Sequence, residues 1–97
     1  MTLTALIVDD ESLARRGLKH RLDALGSVTI VGEASNGFEA CEMISELSPD
    51  LVFLDIQMPG MSGFELLEKL QGDNLPLIIF TTAYDQYAVD AFKVHAI

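Results

Sequence analysis

Short apolar runs alternate with segments of helical period along almost the whole chain, and this alternation limits the possible folds more than any other feature. The runs have the length of strands, and they are too short to be buried helices. Strands that alternate with helices predict a parallel sheet covered by helices on both faces, with right-handed crossovers. The sequence therefore predicts a doubly wound α/β fold, with strands at residues 3–8, 28–31, 51–54 and 75–80.

The segments between the runs carry apolar residues at steps of three or four, the spacing of a helix with one buried face. Asn36 is expected to start the second helix and Ser48 to end it, while Asp10 and Ser12 are residues that could cap the first. The four predicted stripes are Ala14, Leu18, Leu22 and Leu25; Ala40, Ile44 and Leu47; Gly63, Leu66, Leu67 and Leu70; and Tyr84, Ala88, Ala91, Phe92 and His95.

The charge balance argues against a nucleic-acid or membrane-surface role for this segment. Fifteen acidic and six basic side chains give a formal charge of -9, which repels polyanions at long range. A solvated acidic face accounts for such an excess unless several carboxylates converge at one point and require a cation.

One cysteine, Cys41, cannot form an intramolecular disulfide, and the N-terminal residues lack a secretory leader. A reducing cytoplasmic location is therefore expected. Cys41 falls on the stripe with Ala40 and Ile44, so we expect a small buried hydrophobe there and not a reactive thiol. The final residues carry no helix stop and no polar tail, which predicts a chain cut before its domain ends.

Three acidic residues follow two of the predicted strands. Asp9 and Asp10 come directly after the first strand and Asp55 directly after the third. If these strands pair side by side, their carboxyl ends bring the three carboxylates into one pocket, where Mg²⁺ would offset the repulsion. The alternative for Asp9 and Asp10 is solvated loop acids that cap a helix.

The fourth strand adds a hydroxyl pair, Thr81 and Thr82, at the same end of the sheet. Strand alternation allows one of the two to face the site. Asp55 can then attack a phosphoryl donor and form an acyl phosphate without a general base, because an ionised carboxylate is already a nucleophile. His20 is expected on the surface and His95 under the last helix, so neither takes part.

Three motifs together resemble the receiver domains of two-component response regulators. They are Leu6-Ile7-Val8-Asp9-Asp10-Glu11, Leu54-Asp55-Ile56-Gln57-Met58-Pro59-Gly60-Met61-Ser62-Gly63 and Phe80-Thr81-Thr82-Ala83. The resemblance spans the chain. It implies a flavodoxin-like receiver with strand order 2-1-3-4. By this resemblance, residues 1–97 are a truncated receiver domain that ends before the fifth strand and fifth helix, and no output domain is present.

The same resemblance implies roles for individual residues. Asp55 matches the phosphoacceptor, and Thr82 matches the switch hydroxyl, with Thr81 as the second choice. Asp10, Asp55 and the main-chain carbonyl of Gln57 match the Mg²⁺ ligands, and Asp9 assists through water. The only reaction expected is the chain's own phosphorylation and dephosphorylation, so it is not expected to be an enzyme acting on other substrates.

The segment from Thr82 to Ile97, with Ser12-Leu13-Ala14-Arg15-Arg16 near the start, resembles the subgroup that carries LytTR-type DNA-binding domains. By that resemblance the parent protein is a transcriptional regulator, phosphorylated by a sensor histidine kinase. It would bind DNA only through a C-terminal domain that this chain lacks.

The chain departs from the family pattern where the phosphate-pairing lysine would follow Ile97. Lys93 does not replace it, because it lies on the predicted fourth helix. We expect the lost strand to expose residues 77–80 at an open sheet edge, with homodimers forming through that edge or the last helix. The alternative function is a binding module that no longer switches. A phosphatase is disfavoured because Asp9-Asp10-Glu11 lacks the D-x-D spacing of that class.

Overall fold

The computed structural model of the chain describes residues 2–56, 63–70 and 75–81. Strands and helices alternate along these residues as the sequence predicts. The elements are β1 (Leu3–Val8), α1 (Ser12–Leu25), β2 (Val28–Ala34), α2 (Gly37–Leu47), β3 (Leu51–Leu54), α3 (Gly63–Lys69) and β4 (Leu77–Phe80). The predicted fourth helix, at residues 84–95, lies outside the described residues.

The described strands form one parallel sheet in the order β2-β1-β3-β4. Ala5 of β1 lies opposite Leu51 of β3, and Leu51 lies opposite Leu77 of β4. The pairing of β1 with β2 shifts its register between Ala5 and Leu6. The predicted doubly wound fold and the strand order 2-1-3-4 are confirmed.

Alternating side chains of the two central strands form separate cores on the two faces of the sheet. Leu6, Val8, Val52 and Leu54 are completely buried on one face, where they pack with residues of α2 and with Leu66 of α3. The opposite face packs against α1. Its core contains Ala5, Ile7, Leu22, Leu51 and Phe53.

The two outer strands of the sheet, β2 and β4, have bounds that differ from the predicted ones. β2 continues beyond residue 31 to Ala34, because Ala34 is paired with Val8 and buried. Gly32 and Glu33 interrupt the apolar run and hid this extension from sequence analysis. β4 begins at Leu77 and not at residue 75, and Pro76, which has no N–H for a strand ladder, directly precedes it.

The buried stripe of α1 is shorter than predicted. Leu22 is buried and Leu18 is half-buried, but Ala14 is exposed and Leu25 is 70% exposed. Only the middle turns of the helix therefore join the core. No described helix has both the length and the apolar content needed to cross a membrane.

The ends of α2 are the ones predicted. Asn36 is the N-cap, and its side-chain oxygen accepts a 2.9 Å hydrogen bond from the N–H of Glu39. Ser48 closes the helix in a left-handed conformation with φ of 44°, and its N–H donates to the carbonyl of Ile44.

Two glycines of the first helix should respond in opposite ways to alanine. Gly26 ends α1 with φ of 74°, so Gly26→Ala should lower the free energy of unfolding by about 1 kcal/mol. Gly17 is inside the helix, and a Cβ there would meet no atom within 4 Å apart from its chain neighbours and the nearby backbone of its own helix. Gly17→Ala should raise the free energy of unfolding by roughly 0.5–1 kcal/mol. Urea unfolding followed by far-UV circular dichroism checks both signs, and equal shifts would contradict the prediction.

Candidate metal centre

The acidic residues predicted to converge stand at the carboxyl ends of the two central strands. Val8 and Leu54 are partners in the β1–β3 ladder, and the chain continues from them into Asp9 and Asp55. The N–H of Asp55 donates a 2.9 Å hydrogen bond to the carbonyl of Val8, so the ladder extends one residue beyond β3. Strand pairing therefore brings the two acids together.

Asp9, Asp10 and Asp55 form a compact group of carboxylates. One oxygen from each lies within 4.8 Å of the others, with Asp9 and Asp55 half-buried and Asp10 exposed. Hard dications such as Mg²⁺ take carboxylate oxygens and keep several waters, so the chemistry of this donor set fits Mg²⁺. The predicted convergence of the three side chains is what the structure shows. Gln57, the fourth predicted ligand, lies outside the described residues.

Asp9 is held by hydrogen bonds at both its backbone and its carboxylate. Its N–H donates to the carbonyl of Ala34 at 3.1 Å, and its Oδ1 accepts from the N–H of Glu11 at 2.9 Å. Glu11, and neither Asp10 nor Ser12, is the N-cap of α1, and its side chain makes no capping bond. Neither of the two possible caps therefore occupies the N-cap position, and the N–H of the N-cap residue is bonded instead by the Asp9 carboxylate, which lies outside the helix.

Arg15 completes the support of Asp9. Its Nη1 donates a 2.7 Å hydrogen bond to the carbonyl oxygen of Asp9, and its Nε pairs with Glu33 Oε1 at 3.2 Å. The Arg15 side chain is 18% exposed. The motifs that predicted the site did not include Arg15, and the one available signal was a basic residue in the first turn of a helix, where the helix dipole disfavours it.

Polar contacts continue along the end of β2 into α2. The N–H and hydroxyl of Ser35 both donate to Glu39 Oε1. These bonds lower the pKa of the Glu39 carboxyl, and the charge of Arg15 adds a smaller effect in the same direction. Arg15 thus joins the end of β1 to β2, and Ser35 joins the end of β2 to α2.

The fourth strand reaches the same edge. The N–H of Thr81 donates to the carbonyl of Leu54 at 3.0 Å, and Thr81 lines a groove together with Asp9 and residues of α1. Thr82, the preferred switch hydroxyl, lies outside the described residues. The choice between the two threonines therefore stays a prediction.

Two further predictions concern residues without a role in the site. His20 is exposed, as expected. Cys41 is partly buried against the core, and burial raises the pKa of its thiol, with Lys69 opposing the shift. A thiol with a raised pKa is a poor nucleophile at neutral pH, which agrees with a packing role. Lys93 and His95 lie outside the described residues.

Comparison with known proteins gives one consistent family. Residues 5–97 match the family described as the response regulator receiver domain. An uncharacterized response regulatory protein of Vibrio parahaemolyticus is 52% identical over 94 residues, which are 97% of this chain and 39% of that protein. The transcriptional regulatory protein BtsR of Escherichia coli is 47% identical over 94 residues, with the same 39% of its length covered. The chain thus spans about two fifths of these relatives.

Solved structures agree with the fold. The response regulator domain of CheB from Thermotoga maritima has a TM-score of 0.86 at 30% identity, over 100% of this chain and 75% of that one. The response regulatory domain of mrkE from Klebsiella pneumoniae has a TM-score of 0.87 at 31% identity, over 98% of this chain and 79% of that one.

Removing one of the clustered charges should stabilise the metal-free chain. Two unit charges at such a separation repel by roughly 1 kcal/mol in water, so Asp10→Asn should raise the free energy of unfolding by about that amount at low salt. Added salt should reduce the gain. Urea unfolding in a chelator measures it, with Glu42→Gln, an exposed acid in the middle of α2, as the control. An Asp10→Asn chain no more stable than the control would contradict the prediction.

Proposed function

This chain belongs to the response-regulator receiver family, and we propose on that premise that it accepts a phosphoryl group on Asp55 from a sensor histidine kinase. The observation that carries the proposal is the meeting of Asp9, Asp10 and Asp55 within 4.8 Å at the ends of β1 and β3. Such a concentration of negative charge suits a magnesium-assisted phosphoryl transfer, because the charge has to be offset before a phosphoryl group can approach.

The metal ligands we propose are those implied by the family resemblance. Asp10, Asp55 and the main-chain carbonyl of Gln57 would bind Mg²⁺ directly, and Asp9 would act through water. Mg²⁺ supplies positive charge that offsets the negative charge of the transferred group. Among these carboxylates, Asp9 and Asp55 are half-buried and Asp10 is exposed.

The proposed reaction needs no general base. A carboxylate oxygen of Asp55 attacks phosphorus and forms the new P–O bond, while the bond to the donor imidazole nitrogen breaks and its electron pair stays on that nitrogen. Hydrolysis of the resulting acyl phosphate by water returns the carboxylate and releases inorganic phosphate. The chain then acts on itself alone and is not a catalyst for other substrates.

The output of the proposed receiver is transcriptional. BtsR, which is 47% identical over the region compared, is named a transcriptional regulatory protein, and this chain covers 39% of its length. The resemblance of the segments around Arg15 and after Thr82 to LytTR-type regulators supports a DNA-binding domain of that type elsewhere in the parent polypeptide. A charge of -9 makes DNA contact by the receiver segment itself unfavourable.

The phosphoacceptor is tested by direct labelling. Incubation with a small-molecule phosphodonor and Mg²⁺ should add one phosphoryl group, detected by intact-mass spectrometry, and chelation of Mg²⁺ should abolish the gain. Asp55→Asn should remove the labelling, because the amide is not a nucleophile toward phosphorus. Asp23→Asn, at an exposed aspartate on α1, should label as the wild type does. A phosphorylated Asp55→Asn chain would sink the assignment.

The two threonines are separated by a paired substitution. Thr82→Ala should still be phosphorylated but should lose most of the difference in backbone amide chemical shifts between the phosphorylated and free forms. The reason is that the hydroxyl which would bond the phosphoryl group is gone. Thr81→Ala should keep that difference, and the reverse result would transfer the switch role to Thr81.

A further inference from the structure

Arg15 stands where helix electrostatics disfavour it. It lies in the first turn of α1, which begins at Ser12 and has no acidic residue in that turn, so its positive charge faces the positive end of the helix dipole. Its neighbour Arg16 is exposed, whereas the Arg15 side chain is 18% exposed. A half-buried cation at this position indicates that its contacts compensate for both the helix dipole and the partial loss of solvent.

Those contacts join two separate elements. Nη1 donates at 2.7 Å to the carbonyl of Asp9, directly after β1, and Nε pairs at 3.2 Å with Glu33 of β2. A guanidinium can make both bonds at once because its donors lie in one rigid plane. An ammonium group, a single point charge, has no such fork.

The bond to Asp9 is made to the peptide unit and not to the carboxylate. The Asp9 carbonyl belongs to the planar group that links Asp9 to Asp10, so fixing its oxygen fixes the direction in which the Asp10 backbone leaves. The other end of Asp9 is fixed by its N–H bond to Ala34. One peptide plane thus sets the relative placement of two of the clustered carboxylates.

We propose that Arg15 is a positioning residue that pre-organises the Asp9–Asp10 peptide and thereby sets the affinity of the site for Mg²⁺. Glu33 holds the guanidinium in place and, with Glu39, offsets its charge. The inference rests on the proposed function, since it assumes that this carboxylate cluster binds Mg²⁺.

A role of Arg15 through its charge and a role through positioning predict opposite changes in Mg²⁺ affinity when Arg15 is replaced. A cation near the cluster repels Mg²⁺, so a role through charge alone requires that Arg15→Met bind Mg²⁺ more tightly. A positioning role requires weaker binding, because the carboxylates are no longer held in place. Loss of a group that orients metal ligands typically costs roughly 10- to 100-fold in metal affinity.

The experiment measures Mg²⁺ binding by isothermal titration calorimetry in the full chain, with folding checked by circular dichroism in a chelator. Arg15→Met should bind Mg²⁺ at least roughly 10-fold more weakly than the wild type. Arg16→Met, which removes the same charge from the same helix turn, should stay close to the wild type. Arg15→Lys keeps the charge without the fork and should show a smaller loss. Saturating Mg²⁺ should restore phosphorylation of Asp55 in the Arg15 variants, which a general folding defect would not allow.

The possible outcomes separate the two proposals. A folded Arg15→Met chain with unchanged or tighter Mg²⁺ binding overturns the inference and leaves the proposed function intact. If Arg15→Met does not fold, Arg15→Lys decides, and unchanged affinity there overturns it. A wild-type chain that binds no Mg²⁺ refutes the metal site itself, and the role of Arg15 falls with it.

Discussion

The pairing of β1 with β3 is the constraint on which the rest of the described structure depends. Leu6, Val8, Val52 and Leu54 are fully buried, so these strands cannot separate without exposing the core. Slipping the register by one residue would turn each side chain to the opposite face and disrupt the packing of both cores. The same pairing forces the acids that follow these strands to lie together at the carboxyl end of the sheet. Hydrophobic burial of the two strands thus forces the carboxylates together. The packing of the core has to offset the resulting charge repulsion.

The start of α1, next to the carboxylate cluster, departs from the usual preferences of helix N-termini. Glu11 occupies the N-cap without making a capping bond, and Arg15 lies in the first turn against the helix dipole. In α2, where no clustered carboxylate is involved, Asn36 caps the helix through its side chain. Departures from local preference are expected at functional sites. The contrast between the two helix starts therefore points to the loop after β1 as the part of the chain shaped by function.

The parts of this fold that could be predicted are those encoded by neighbouring residues. Almost wholly apolar runs predicted β1 and β3, and Asn36 and Ser48 marked the ends of α2. The extension of β2 to Ala34 could not be read from the sequence, because Gly32 and Glu33 break the apolar run and only pairing with β1 keeps the strand going. The bonds of Arg15 could not be predicted for a related reason. Glu33 comes near Arg15 only after β1 and β2 have paired, and the other partner, the Asp9 carbonyl, is a main-chain acceptor that leaves no mark in the sequence.

Main-chain hydrogen bonds hold the backbone of the site, and this determines how side-chain changes there should be interpreted. The ladder runs one residue beyond three of the strands, since the N–H groups of Asp9, Asp55 and Thr81 donate to Ala34, Val8 and Leu54. At the opposite end of the strands, Asp50 joins β1, β3 and β4. It directly precedes β3, its carboxylate and N–H bond to Thr4 of β1, and its carbonyl accepts from the N–H of Leu77 of β4. An Asp-to-Asn change at the cluster leaves all these main-chain bonds available. Its effect on metal binding or phosphorylation therefore reports the chemistry of the lost charge, whereas a change at Arg15 removes a bond to the backbone itself and alters where the charges stand.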